Sequence, residues 1–207
     1  MDLSSEGIKK LKFYEMNNFL NDSTKIEEYL SEFTDIVIDN LPQDSDIQSI
    51  NFLLYELLIN IYKHSQFKNA YIQINTSENN NTIELCIIDE GIGIPGSFNE
   101  DSIEFEDDCD AIFEALNGKT TDKEKYKLHG RGLNSSARIT TLGFDGEMLI
   151  ASGEGICLIN SNGIETCKNR YEIAGTFIIL KIPNKKIENI YNYLKYEKIN
   201  KIQGVEE

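Results

Sequence analysis

Several short runs of this 207-residue chain place reactive side chains at spacings that known chemistry uses. Gly118-Lys119-Thr120 has the tail of a phosphate-cradling P-loop, but Phe113 stands where that loop needs its first glycine. GIGIPG supplies Gly91, Gly93 and Gly96 at dinucleotide-fingerprint spacing. Such a fingerprint opens directly into a helix that takes the pyrophosphate, whereas Pro95 and an acidic stretch follow here, which argues against that use. His64 and His129 lack Cys or carboxylate neighbours at zinc spacing, and His64 reads as a packing or hydrogen-bonding residue. More specific is a line of three unlike polar groups. At 100° per residue, Glu56, Asn60 and Lys63 fall within about 60° of one another on a helix. A solvated face would more often mix Lys, Glu and Gln loosely. Asp89 ends an apolar run just ahead of Gly91, and HGRGL brings Gly130, Arg131 and Gly132 to a loop–helix junction.

The elements that must position these groups follow from periodicity. Thr24 with Glu27 gives a capping-box signal, and Ile26, Leu30, Phe33 and Val37 then recur at helical spacing up to Pro42. From about Asp46 to Ser65, Ile47, Ile50, Leu54, Leu57 and Ile61 form a core-facing stripe of roughly 80°. In IKKLKFYEM, Leu11 and Phe13 alternate like a strand while the lysines would suit a helix, and strand is the preferred of the two readings. AYIQINTS and TIELCIID alternate as strands around Asn79, Asn80 and Asn81, a turn that asparagine suits. A short helix is expected over Asp110 to Asn117 and another over Leu133 to Leu142. GEMLIAS, GICLINSN and TFIILKIP read as strands, with Gly153 to Gly155 as a hairpin turn. A last helix is expected around Lys186 to Lys198. Helices on a mixed, largely antiparallel sheet make an α+β two-layer sandwich.

Composition narrows the function classes. Twenty basic against 35 acidic residues leave a net charge of −15, which argues against a duplex-binding surface, since such binding depends on Lys and Arg neutralising phosphates. No window is apolar for the roughly 18 residues that a membrane span needs, and the N-terminus carries no signal-peptide pattern. Cys86, Cys109, Cys157 and Cys167 match no zinc or redox spacing, as expected of incidental thiols in a reducing cytoplasm. Length favours one core, with residues 1–44 as a strand and helix extension packed on a domain spanning 45–207.

ELLINIYKHS on a helix, IIDEGIGIP at a strand end and HGRGLNSS at a loop–helix junction occur in that order. Together they resemble the GHKL, or Bergerat-fold, ATPase superfamily over roughly residues 45 to 183, with Tyr55 to Pro95 most similar to sensor histidine kinase catalytic domains. The resemblance implies ATP and Mg²⁺ as cofactors. It implies that Asp89 accepts the adenine amine, that Gly91 and Gly93 let backbone approach the base, and that Asn60 ligates the metal. Lys63 then meets a phosphate, while Gly130 and Gly132 hold phosphate oxygens, with Arg131 and Lys127 as further inferred contacts. Ile94, Leu133 and Thr176 complete the cofactor-binding set. Glu56, one turn before Asn60, is the implied catalytic residue, polarising water or a protein hydroxyl.

Pro95 to Gly130 corresponds to the family's ATP lid, with the acidic stretch from Glu100 to Asp110 as a solvated part turned outward. No phosphoaccepting histidine segment is evident before Asp46, and the phosphate-sensing domain of gyrases and chaperones is not expected on this reading. The nearest functional shape is the anti-sigma-factor serine kinase: a stand-alone, cytoplasmic, Mg-ATP-binding domain that phosphorylates or switches a partner in signalling. Its implied partners are ATP and a regulatory protein of the anti-sigma-antagonist kind, with a homodimer as an option and no nucleic acid or membrane. Two other readings stay open: a non-catalytic binding module regulated by nucleotide, and a detached kinase domain acting in trans on a histidine.

Overall fold

The computed structural model describes residues 10–16, 23–39, 41–77, 81–119 and 132–202. Five strands form one sheet in the order β1-β2-β3-β5-β4: β1 Lys10–Glu15, β2 Ala70–Ser77, β3 Thr82–Asp89, β4 Glu147–Asn160 and β5 Gly163–Pro183. The four pairings between these strands are antiparallel, in keeping with the largely antiparallel sheet expected. Strict alternation in β2 and β3 sends Ile72, Ile74, Ile83, Leu85 and Ile87 to one face, where the helices cover them. Asp89 occupies the next inward position after Ile87, so the strand's own period carries a carboxylate toward the core.

Two helices build the layer nearest that face. In α1 (Ser23–Ile38), Ile26, Leu30, Phe33 and Val37 are all buried; Thr24, the expected cap, lies outside the described side chains. α2 (Ile47–Asn60) starts at Asp46, whose side chain accepts a hydrogen bond from the Ser49 amide at 3.2 Å. Its buried stripe is wider than the periodicity suggests. Leu53 and Leu58 join Ile50, Leu54 and Leu57 because α1 and the sheet flank it, while Ile47 at the end is 39% exposed. The helix then opens into a π-helical turn over Ile61–Ser65, which closes at Gln66 in a left-handed conformation. Such turns interrupt α-helices mostly where function requires a local change of direction.

Elsewhere local signals misled. GIGIPG does open into a helix, α3 (Gly93–Glu100), because Pro95 sits in its first turn, where no intrahelical N–H is needed. It still lacks the parallel crossover of a dinucleotide fold, since β3 pairs antiparallel on both sides. Gly153 to Gly155 is a bulge within β4 and not a hairpin turn; the chain reverses at Ser161 and Asn162 instead. α4 (Asp108–Leu116) lies across that bulge, with the Asp108 carboxylate accepting the Glu154 amide at 2.7 Å. The acidic stretch is thus partly structural: Asp107 caps α4 and pairs with Lys168 at 2.9 Å. The stretch expected as a lid is therefore helical over α3 and α4, and α4 buries Cys109, Ala111, Ile112 and Leu116. α5 (Gly132–Arg138) continues into a second π-helical turn, Ile139–Gly143. The expected final helix shrinks to one turn, α6 (Tyr191–Leu194), because side chains from other elements bind the backbone after it.

Candidate functional site

The register of the sheet builds one end of the site. Asp89 pairs with Ala70 on β2 and Thr176 on β5, at the point where β3 ends and β2 begins. Its carboxylate is 3% exposed and accepts hydrogen bonds from the Gly91 amide at 3.0 Å, the Ser65 hydroxyl, and the amide and hydroxyl of Thr176. Burial raises its pKa to about 6 against the opposing pull of those donors. Desolvation wins, so the anion is held at a cost that one more donor would reduce.

The turn beyond Asp89 is pinned by groups far away in sequence. The Ser65 carbonyl accepts the Ile92 amide at 2.8 Å, which joins the turn to the π-helical segment after α2. Ser152 on β4 accepts the Ile94 amide at 2.9 Å and donates to the Gly175 carbonyl at 2.7 Å. Gly93 has φ +70°, and a Cβ there would stand 2.6 Å from Ser152 Oγ, so only glycine fits. Ser65 and Ser152 were not legible as site residues. Both are buried, but Ser65 stands among Lys63, His64 and Gln66, and only Ser152 follows an apolar run, so no common signal marked them.

α2 builds the other end. Glu56 and α5 approach so closely that a Cβ on Gly132 would overlap Glu56 Oε2, and Asn60 Nδ2 lies 3.8 Å from the same point. Glu56 and Ser65 are nine positions apart, so the two ends lie roughly 13 Å apart along the helix axis. Between them is a cavity of about 430 Å³, within the usual range for small-molecule sites. Glu56, Asn60, Lys63, Asp89, Gly93 and Ile94 all line it, as do Gly132, Leu133 and Thr176. Gly91 supports Asp89 from behind through its amide. Gly130, Arg131 and Lys127 lie outside the described residues.

Glu27 from α1, His64 from the π-helical turn and Lys119 just beyond α4 also line the cavity. Lys119 donates to the Glu104 carbonyl at 2.9 Å and pairs with Glu114 at 3.5 Å. No cluster of three His, Cys, Asp or Glu suited to a metal occurs among the described residues. An amide oxygen at Asn60 suits a hard cation that keeps several waters as its other ligands.

A buried carboxylate beside glycine-rich backbone at one end, a carboxylate and an amide at the other, and lysines in the lining suit a long ligand with a hydrogen-bonding base and an anionic tail. The model of the histidine kinase-, DNA gyrase B- and HSP90-like ATPase family matches residues 45–186. The chain belongs to that family. As a family member it is an ATP-binding domain of the GHKL type, and the antiparallel sheet with its layer of helices is consistent with that fold. No curated protein matches the chain significantly. Among the described residues, no helix is long and apolar enough to cross a membrane.

Proposed function

We propose that this GHKL domain binds Mg-ATP in the cavity between α2 and the Asp89 turn and phosphorylates a serine or threonine of a regulatory protein in cytoplasmic signalling. The observation that carries this reading is the placement of Glu56 against Gly132, beside Asn60, at the cavity end remote from Asp89. ATP supplies the transferable γ-phosphoryl group, and Mg²⁺ neutralises charge on the phosphates. The protein's own residues divide the remaining work. Asp89 accepts the adenine amine, held in place by Ser65, Gly91 and Thr176. A guanine would present an acceptor to the same carboxylate and be repelled. Asn60 offers its side-chain oxygen to the metal, and Lys63 meets phosphate as a point charge. Glu56 takes the proton from the attacking hydroxyl.

Glu56→Gln keeps the size of the side chain and removes its basicity. Turnover of Mg-ATP should fall by about 10²–10⁴-fold, the usual weight of a general base, with nucleotide affinity nearly unchanged. Release of ADP, the product whether a hydroxyl or water attacks, and calorimetric titration measure the two separately. A wild-type protein that binds Mg-ATP, shows no turnover and is indifferent to Glu56→Gln would support the non-catalytic module instead.

A further inference from the structure

The segment after α6, residues 195–202, lies beyond the family match and contributes no lining residue to the cavity, yet it is bound by both walls of the cavity. On the α4 side, the Asn117 amide group pairs with the backbone of Ile199 in both directions. Its Nδ2 donates to the Ile199 carbonyl at 3.2 Å, and its Oδ1 accepts the Ile199 amide at 2.9 Å. The Tyr196 hydroxyl donates to the Asn117 carbonyl at 2.9 Å. Lys201 sits 4.5 Å above the Phe113 ring of α4 and 3.7 Å from Asp110. On the α5 side, Arg138 donates to the Lys195 carbonyl and pairs with Glu197 at 2.8 Å. Asn134 joins all three parts: its Nδ2 donates to the Leu116 carbonyl at the end of α4, at 2.9 Å, and to the Glu197 carbonyl at 3.1 Å. The far end is fixed to β5, where the Ile164 amide donates to the Asn200 carbonyl and Ile164 accepts from the Ile202 amide.

Surface chain of this kind is usually held by few contacts; here side chains from α4 and α5 are spent on its backbone. Both helices present cavity residues within two positions of those side chains. Lys119 follows Asn117 by two, and Gly132 and Leu133 immediately precede Asn134. We infer that residues 195–202 act as a strap that sets the spacing between the end of α4 and the start of α5, making Asn117 and Asn134 positioning residues for the phosphate end of the nucleotide site. This rests on the cavity being that site. The strap itself contacts no ligand. Its effect is to keep Lys119, Gly132 and Leu133 in one arrangement, so that loosening it dilutes the binding-competent population. The base end, organised by Asp89, Ser65 and Ser152, depends on a separate set of hydrogen bonds, made by the end of β3, by β4 and by the π-helical turn.

The test compares the full-length wild type, Asn117→Ala, and Ser45→Ala as a control that removes a buried bond to Asn184 away from the cavity. Each is titrated with a non-hydrolysable Mg-ATP analogue and with AMP, and its amide hydrogen exchange is followed. Asn117→Ala should weaken the triphosphate analogue about fivefold and AMP by less than about twofold, as a shifted competent population requires. Exchange should quicken in both 113–117 and 132–138. Ser45→Ala should leave both affinities as in the wild type. Equal losses for the two ligands, or no loss, would overturn the strap, as would exchange that changes on the α4 side alone. If Asn117→Ala does not fold, Tyr196→Phe, which removes only the hydroxyl, should give the same split at smaller size. A wild type that binds neither ligand would overturn the nucleotide site itself, which the first titration shows before any variant is compared.

Discussion

Asp89 concentrates the chemistry of the site in one side chain. Its period-2 position makes it a core residue, and its carboxylate makes it the least comfortable one. With a folded pKa of about 6 against an ordinary 3.8, the native state holds its proton more tightly than the unfolded chain. Its contribution to stability is therefore complete below about pH 4 and is lost as pH rises through 6, by on the order of 3 kcal/mol. Urea unfolding from pH 4 to 7 should show this decline superimposed on the other carboxylates, and Asp89→Asn should flatten it. An amine donor from adenine favours the anion, so nucleotide binding near pH 6 should release a proton. Titrations in buffers of different ionisation enthalpy read that directly. Asp89, Glu56 and Asn60 were legible in the sequence because type, spacing and neighbouring glycines coincided. Ser65 and Ser152 were not, since a hydrogen bond between serines and a turn dozens of residues away leaves no local pattern.

At the scale of elements, the site depends on two joints: the π-helical turn after α2 and the turn from β3 into α3. Ser152→Ala removes two buried hydrogen bonds, to Ile94 and Gly175, at the second joint. It should cost about 2 kcal/mol of stability, and adenine-nucleotide affinity should fall with it. Chemical denaturation and titration of the same samples check the pair; a loss of stability with affinity intact would separate Ser152 from the site. Strands β2 and β3 were readable to the residue because their alternation matches a sheet covered on one face. The β4 bulge was misread because glycines mark both turns and bulges, and only the approach of α4 decides between them. The C-terminal helix was misread for a related reason. Ile187, Ile190 and Leu194 do pack on the core, but Asp46, Asn117, Asn134 and Arg138 bind the backbone on either side of α6, leaving it one turn of helix.

The whole molecule is a single layer of helices on an antiparallel sheet, with α1 sharing the core that the family-matched region builds. Three sequence-remote parts converge on one cavity: the helix that carries Glu56 and Asn60, the strand end that carries Asp89, and the start of α5 at Gly132. Their order along the chain was enough to suggest the family. Their closeness, with Glu56 filling the space that a side chain on Gly132 would need, comes only from the fold. Calorimetry with Mg-ATP and Mg-GTP on the wild type and Asp89→Asn tests the central claim most directly. Saturable binding of Mg-ATP to the wild type, absent with Mg-GTP and lost in Asp89→Asn, is the predicted result. No heat with Mg-ATP, or binding that survives Asp89→Asn unchanged, would contradict it.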